Sequence, residues 1–282
     1  MDWARVKTIL IVVFLAVDMF LIVNLIMKNK STELTPEAIK SVKQFLAQNN
    51  VVLDTEIEKK VLNLSRINVV NPIVDGDLAA NKFIGKGLWN KKKDIDGNVL
   101  YSSDKESLLV QKKGEVILKY NEPNIANLSG SATINGYFLG VLKKNHIVNA
   151  ELQTEKMIKN IYYIRYRCYD NKMKVFNNYA EVELDQSSGD ISIKIGMIEA
   201  EGYAGKKKQV NIIDSLIELV RNVNSKEKTI VKKISLGYYA NVNKNEEAMK
   251  YGEADPAWEI ETDKGIYIFD GYNGNLLYKY NK

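Results

Sequence analysis

The feature that most constrains this chain is an apolar run of twenty residues from Thr8 to Met27, in which only Thr8, Asp18 and Asn24 are not apolar. As an α-helix rising about 1.5 Å per residue, the run would be roughly 30 Å long, the thickness of a bilayer's hydrocarbon core. A secretory signal peptide has a shorter apolar region that ends in a small-residue cleavage site. The following sequence, "LIMKNKSTEL", offers no such site. The run therefore predicts an uncleaved transmembrane signal anchor over residues 8–27.

The charged residues on either side of the anchor do not decide its orientation in the membrane. Arg5 and Lys7 precede the apolar run, and Lys28 and Lys30 follow it, so the positive-inside rule gives nearly a tie. Because residues 1–7 form only a short tail, the simplest topology keeps that tail in the cytoplasm and exports the rest. We expect a single-pass protein of the cell membrane, in contact with membrane lipid, whose long carboxy-terminal part is extracytoplasmic.

Asp18 stands near the middle of this anchor. A charged Asp at mid-bilayer costs about 2.5–3.5 kcal/mol, while an interhelical hydrogen bond in lipid returns about 0.6–2 kcal/mol. The helix therefore either tolerates Asp18, for example in its protonated form, or brings it to a polar partner on another helix with the help of packing. We favour the partner, because carboxylates within membranes usually face protein.

Helical geometry predicts which anchor residues would share that contact. Asn24 lies about 120° around the helix from Asp18, so it would address a second partner in a multi-helix assembly. The apolar residues on the Asp18 face are Phe14, Leu15, Leu21, Ile22 and Leu25. Together with Asp18 and Asn24 they form the predicted membrane-helix interaction site.

Composition limits what the rest of the chain can do. Beyond the first thirty residues there are 36 basic and 33 acidic side chains, a balance that does not indicate nucleic-acid binding. The chain is 45% hydrophobic, enough for a sizeable core. Cys168 is the one cysteine, so no intramolecular disulfide can form, and thiol chemistry does not identify the compartment.

Helix signals occur in both halves of the exported region. Thr35 as N-cap and Pro36 at the first position begin a helix that Asn49-Asn50 ends, and its apolar stripe is Ile39, Val42, Phe45 and Leu46. "VNIIDSLIELVRNV" predicts a second amphipathic helix. The segment "NAELQTEKMIKN" predicts a weak helix, and "DLAANKFIGKGLW" a short helix or loop.

Alternating segments predict strands in both halves, among them "LNLSRINVVN", "VFNNYAEVELD", "TIVKKISLGYYANV", "AWEIET" and "GIYIFDGY". In "IYYIRYRCYD" the alternation places Tyr162, Ile164, Tyr166 and Cys168 on one face and Tyr163, Arg165, Arg167 and Tyr169 on the other. The strand spacing of the tyrosines favours half-buried sheet faces over a ligand cage. Because each half runs from helix to antiparallel strands, we predict an α+β protein with two lobes, residues 31–155 and 156–282.

A search for catalytic chemistry finds no motif. His146 is the one histidine, which specifies neither a nucleophile nor an orienting group, and clustered His and Cys metal ligands are excluded by count. "DIDGN" fails the calcium-loop spacing, and "GYAGKKKQ" fails the phosphate-loop pattern. We therefore predict no catalytic residue, metal or cofactor, and a protein that works by binding.

Three stretches resemble one family, YycI, also called WalI. The first is "MDWARVKTILIVVFLAVDMFLIV". Like members of the family, it begins with Met-Asp-Trp, continues with a basic residue and then has a membrane helix with an Asp-x-Phe-Leu-like core, here Asp18, Phe20 and Leu21. The second is "VFNNYAEVELD" through "ISIKIGMIE" to the helix "NIIDSLIELV". The third is "ISLGYYANV" with "ADPAWEIETDKGIYIFDGYNGNLL", which is also similar to the closing hairpin of PepSY-type domains.

The resemblance implies a function without catalysis. Members of that family are membrane-anchored extracytoplasmic regulators of the WalK (YycG) sensor histidine kinase, and they act with the related protein YycH. That two-component system controls cell-wall metabolism in Gram-positive bacteria, and the regulatory contact is thought to involve membrane helices. The resemblance also implies a structural carboxy-terminal motif of Pro256, Trp258 and Gly274, in a PepSY-like last lobe.

Two other classes of function stay open on the sequence alone. One is an exported PepSY-like binding module that inhibits a protease or senses wall fragments. The other is an exported hydrolase that uses scattered carboxylates. Association with a kinase in the membrane would distinguish the regulator from both.

Overall fold

Local sequence signals are visible in most elements of the computed structural model. The structure describes residues 13–15, 17–19 and 33–281, except 74, 86, 88, 113, 128, 129, 146, 148, 170–172, 225 and 241–250. The described α-helices after residue 33 are α1 (Pro36–Gln48), α2 (Gly76–Phe83), α3 (Ser131–Lys144) and α4 (Ile213–Asn222), and a 3₁₀ helix covers Pro123–Asn127. The strands up to residue 121 are β1 (Val51–Leu53), β2 (Leu62–Val70), β3 (Asn90–Lys93), β4 (Val99–Ser102), β5 (Glu106–Gln111) and β6 (Glu115–Asn121). Those that follow are β7 (Asn149–Ile158), β8 (Ile161–Tyr169), β9 (Tyr179–Asp185), β10 (Asp190–Gly196), β11 (Glu199–Val210), β12 (Thr229–Ala240), β13 (Tyr251–Thr262), β14 (Gly265–Asp270) and β15 (Leu276–Asn281).

The middle of the chain builds one antiparallel sheet, which we call sheet I. Its eight strands lie in the order β3-β4-β5-β6-β10-β9-β8-β7. Helices α2 and α3 cover one face, where Phe83, Phe138 and Tyr166 are buried in a common core. The Tyr166 hydroxyl donates to Asn135 Oδ1 of α3 at 2.8 Å, so the helix and the strand are joined by a hydrogen bond inside this core.

The two ends of the chain build the second sheet, sheet II. Strands β1, β12, β13, β14 and β15 follow one another, and β2 pairs with both β13 and β11. All of its ladders are antiparallel except β1 with β12. Helices α1 and α4 cover one face, where Leu46, Leu219 and Phe269 share a core. The protein is therefore a sheet-rich α+β fold, as predicted.

Several local predictions are confirmed. Helix α1 begins after Thr35, whose hydroxyl accepts from the Ala38 amide at 3.2 Å, and Asn49 caps its other end. The alternation of β8 also holds, because Ile164, Tyr166 and Cys168 are buried on the helix-covered face. These elements are set by caps and periodicity, which act within a few residues.

The helix predicted in "NAELQTEKMIKN" is wrong. Residues Asn149–Ile158 form strand β7, which pairs with β8 from end to end around a bulge at Gln153. Glu, Gln and Lys favour helices in isolation, but the ladder to β8 outweighs that weak preference. Helix α3 has no counterpart among the sequence-based predictions, because its N-cap is Gly130, which offers no side-chain hydrogen bond.

The sheets divide the chain differently from the predicted lobes 31–155 and 156–282. The boundary between residues 155 and 156 falls inside β7, an edge strand of sheet I, and so divides that sheet. Residues 51–53 and 62–70 instead pair with the carboxy-terminal strands of sheet II. The similar order of helices and strands in the two halves of the chain does not predict these strand pairings, because the paired strands are far apart in sequence.

Candidate functional site

A cleft lies where the helix-free faces of the two sheets approach each other. Its volume is about 340 Å³, at the low end of the roughly 300–1,000 Å³ of small-molecule pockets. Both sheets contribute to it. Charged and amide side chains in its lining are Asn71, Glu115, Gln153, Arg165, Arg167, Asn177, Glu181 and Lys194, and the aromatic ones are Phe176, Tyr179, Tyr239, Tyr278 and Tyr280. We call this the intersheet cleft.

Arg165 is the centre of the cleft's aromatic contacts. Strand alternation directs it away from the α3 core, and its guanidinium carbon lies 4.5 Å from the Tyr179 ring centroid and 4.7 Å from that of Tyr280. The guanidinium also forms an ion pair with Glu181 on the neighbouring strand β9. Because Tyr280 belongs to sheet II, this cation–π stack joins the two sheets across the cleft.

A second set of polar contacts lines the sheet I side. The Tyr179 hydroxyl donates to a carboxylate oxygen of Glu115 on β6, and Lys194 Nζ lies 3.2 Å from the other oxygen. Burial, followed by the hydrogen bond to Glu115, raises the pKa of Tyr179, so the phenol stays protonated and acts as a donor. Glu115 therefore holds a ring and a cation in fixed positions along the cleft wall.

The deepest contact is an ion pair between Arg167 of sheet I and Glu259 of sheet II. The side chains are only 6% and 9% exposed, and the Arg167 guanidinium stacks 5.2 Å from the Phe176 ring centroid. Burial raises the pKa of Glu259, and the positive charges of Arg167 and Lys174 oppose that rise. Either orientation of the Gln153 amide places its oxygen on a guanidinium, at 3.3 Å from Arg165 Nε or 2.6 Å from Arg167 Nη2.

These groups are suited to binding. The three cations that line the cleft are each paired with a carboxylate, and the aromatic rings supply apolar surface.

Cys168, on the opposite face of β8, is buried, and burial raises the pKa of its thiol to about 12, which keeps it protonated. In the part of the chain that the structure describes, no three His, Cys, Asp or Glu side chains are placed to hold a metal ion.

The predicted membrane-helix site is described only in part. Val13, Phe14, Leu15, Val17, Asp18 and Met19 are helical and exposed, and the five apolar side chains among them expose 48–70% of their surface. Leu21, Ile22, Asn24 and Leu25 lie outside the described residues, as does His146. No helix within the described ranges is long and apolar enough to cross a membrane.

The carboxy-terminal residues Pro256, Trp258 and Gly274 all occupy structural positions in sheet II. Trp258 is 2% exposed and packs in the core beneath α1 and α4. Pro256 lies on β13 between the part of that strand that pairs with β2 and the part that pairs with β14. Proline has no backbone N–H, so it leaves no donor without a partner at this point. Gly274 has φ +74°, and a Cβ there would lie 2.6 Å from the Asp214 Cβ at the start of α4.

Sequence reasoning missed the intersheet cleft. The signal was the alternation that groups Arg165 and Arg167 on one face of a central strand, a position that would normally be apolar. The partners Glu259 and Tyr280 are about a hundred residues away in the chain, and no local pattern points to them. Four tyrosines are half-buried on the sheets, as predicted, and these four also line the cleft, whereas Tyr166 and Tyr267 are buried and Tyr203 is exposed.

Neither a protein-family model nor a curated protein matches this sequence. Among solved structures, the chain is similar to an uncharacterised protein from Eubacterium rectale ATCC 33656, with 12% identity and a TM-score of 0.47 over 87% of this chain and 99% of that one. It is also similar to the Bacillus megaterium YpeB C-terminal domain, with 12% identity and a TM-score of 0.39 over 74% of this chain and 97% of that one.

Proposed function

We propose that this protein is a membrane-anchored, extracytoplasmic accessory regulator of a sensor histidine kinase, and that it acts through protein contacts. The observation that carries the proposal is the helical segment around Asp18, which leaves its apolar side chains exposed instead of packing them on the sheets. Exposed apolar surface of this kind needs lipid or another helix to cover it. The resemblance of the amino-terminal sequence to the YycI family supports a WalK/YycG-like kinase and a YycH-like protein as the partners.

In this proposal Asp18 provides the specific contact between membrane helices. Its neighbours Phe14 and Leu15 lie one turn before it on the same face, so they would pack beside any partner that bonds the carboxylate. Packing and the hydrogen bond together then offset the energetic cost of placing the carboxylate in lipid. The short amino-terminal tail stays in the cytoplasm, and the two sheets lie outside.

Substitutions at position 18 test the contact. Asp18→Leu removes the insertion cost and the hydrogen bond together, whereas Asp18→Asn retains an amide that can still bond. At equal abundance in the membrane, co-immunoprecipitation of the kinase and of a second single-pass protein should fall in the order native, Asp18→Asn, Asp18→Leu. Leu15→Ile on the same face is the packing control and should retain both partners. Full recovery of both partners with Asp18→Leu would refute the contact.

Topology is tested separately. Protease added to wall-stripped intact cells should digest the chain beyond about Lys30 and leave a protected fragment roughly one membrane helix in length. Cells that are permeabilised before treatment serve as the control, because the amino-terminal tail then becomes accessible too. Protection of the carboxy-terminal sheets in intact cells would refute the proposed orientation.

The intersheet cleft favours a second candidate function, that of an exported PepSY-like binding module that inhibits a protease or senses wall fragments. A cleft of about 340 Å³ with aromatic walls is suited to a small ligand or a short segment of a larger one. Signalling that survives Asp18→Leu but is lost on substitution of cleft residues would favour this function over the regulator acting through its anchor.

A further inference from the structure

The described side chains that line the intersheet cleft include three cations and two carboxylates, and a third carboxylate, Glu259, pairs with the lining cation Arg167. Arg165 is paired with Glu181, Lys194 with Glu115, and Arg167 with Glu259. An anionic ligand is held by a guanidinium or ammonium group that has no carboxylate partner of its own. Each of these three cations already has such a partner. The pairing therefore favours an uncharged ligand that exchanges hydrogen bonds with the edges of these pairs.

The aromatic side chains give the cleft its apolar surface. Tyr179, Tyr239, Tyr278 and Tyr280 are all half-buried, so part of each ring remains accessible. The rings of Tyr239 and Tyr278 are stacked on each other with their centroids 6.5 Å apart, which places two phenols side by side on the sheet II wall. A ligand that fits these walls has apolar C–H faces and polar edges.

Size and polarity together restrict the ligand further. A volume of about 340 Å³ admits one or two small rings. The surrounding guanidinium, carboxylate, amide and phenol groups supply both donors and acceptors, which matches a ring whose edge carries hydroxyl groups. A lipid tail would cover these polar groups without exchanging hydrogen bonds with them, and a charged nucleotide would meet carboxylates.

We propose that the intersheet cleft is a binding site for a neutral saccharide of one or two rings, which stacks a C–H face on the tyrosines and bonds its hydroxyl groups to the charged pairs. The inference rests on the binding role proposed for the cleft and is independent of the membrane contact through Asp18. Because the ligand contacts both sheets, its binding would also stabilise their relative arrangement.

The test uses the full chain in lipid nanodiscs, because many detergents carry sugar head groups. Saturation-transfer NMR is recorded with cellobiose, maltose and chitobiose as neutral saccharides, with glucuronate as an acidic sugar, and with N-acetyl-triglycine amide as a neutral peptide. We expect transfer to at least one neutral disaccharide at millimolar concentration and none to glucuronate. The Asp18→Leu variant should bind the sugar as well as the native chain does.

Two matched variants test whether the saccharide binds in the cleft. Tyr280→Leu should weaken the affinity for the disaccharide about three- to tenfold, the effect of losing one aromatic contact. Tyr203→Leu is the control, because Tyr203 on β11 is 69% exposed and does not line the cleft. Thermal melting of both variants verifies that any loss of binding is not a loss of folding.

Glu181→Gln tests the charge argument without removing any atom from the wall. It leaves Arg165 without its carboxylate, so glucuronate, which should give no saturation transfer with the native chain, should give transfer with this variant through a charge-assisted hydrogen bond. Failure of every neutral saccharide to bind the native chain would overturn the proposal. Transfer to the peptide alone, or equal losses with Tyr280→Leu and Tyr203→Leu, would overturn it too. If sugar binding fails while Asp18→Leu still releases the kinase, the regulator function stands and the cleft proposal falls.

Discussion

The buried ion pair between Arg167 and Glu259 gives the sharpest test of how the two sheets are held together. Arg167→Met keeps a long apolar stem against Phe176 but removes the charge, and so leaves the Glu259 carboxylate buried with Lys174 as the nearby positive charge. Both partners are less than a tenth exposed, so the pair is in the regime where removing one partner costs about 3–5 kcal/mol. We expect that loss in the free energy of unfolding near neutral pH.

The double variant Arg167→Met/Glu259→Leu separates the two possible origins of the loss. If the cost is that of a stranded carboxylate, replacing Glu259 as well removes it, and the double variant should return to within about 1 kcal/mol of the native chain or exceed it. Urea denaturation of the native chain, both single variants and the double variant gives the coupling energy.

The pH dependence gives an independent check of the same reasoning. The folded-state pKa of Glu259 is raised above its ordinary value of 4.5, so its burial penalty is present above the folded pKa and disappears as pH falls below 4.5. Arg167→Met raises that pKa further, since it removes an opposing charge. The deficit of the variant should therefore shrink as the solution is made more acidic. A deficit under about 1 kcal/mol at neutral pH, or a double variant no better than Arg167→Met, would refute the reasoning.

Three further predictions concern sheet II. Trp258→Ala should lower the free energy of unfolding by about 3–5 kcal/mol, because the 2%-exposed indole leaves a cavity; an unchanged melting temperature would mean that the ring is not a core element. Gly274→Ala should cost roughly 1–3 kcal/mol, because φ is +74° and the new Cβ would lie 2.6 Å from Asp214; stability equal to the native chain in urea would contradict the close contact. Thr229→Val should be neutral or stabilising by up to about 1 kcal/mol, because this fully buried hydroxyl has no hydrogen-bond partner among the described residues; a clear loss in the same assay would reveal one.

Local elements of this protein were predictable wherever a short pattern carries the information. Helix α1 follows from Thr35 and Pro36, and the strands from their alternation, because caps and pleats involve only neighbouring residues. Helix α3 shows the limit of this reasoning, since Gly130 provides no capping side chain. The apolar run around Asp18 was likewise visible in the order of residues.

What the sequence by itself determined is therefore the α+β class, most strands and the unusual carboxylate in an apolar helix. The tertiary structure decided that β7 is a strand, because a partner in β8 outweighs helix propensity. It also joined the two ends of the chain in sheet II and brought Arg165 to Tyr280 and Arg167 to Glu259. Such pairings depend on which strands meet after long stretches of chain, and the energy of these contacts exists only once both sheets have formed. The intersheet cleft, and with it the proposed ligand site, is a property of that assembly.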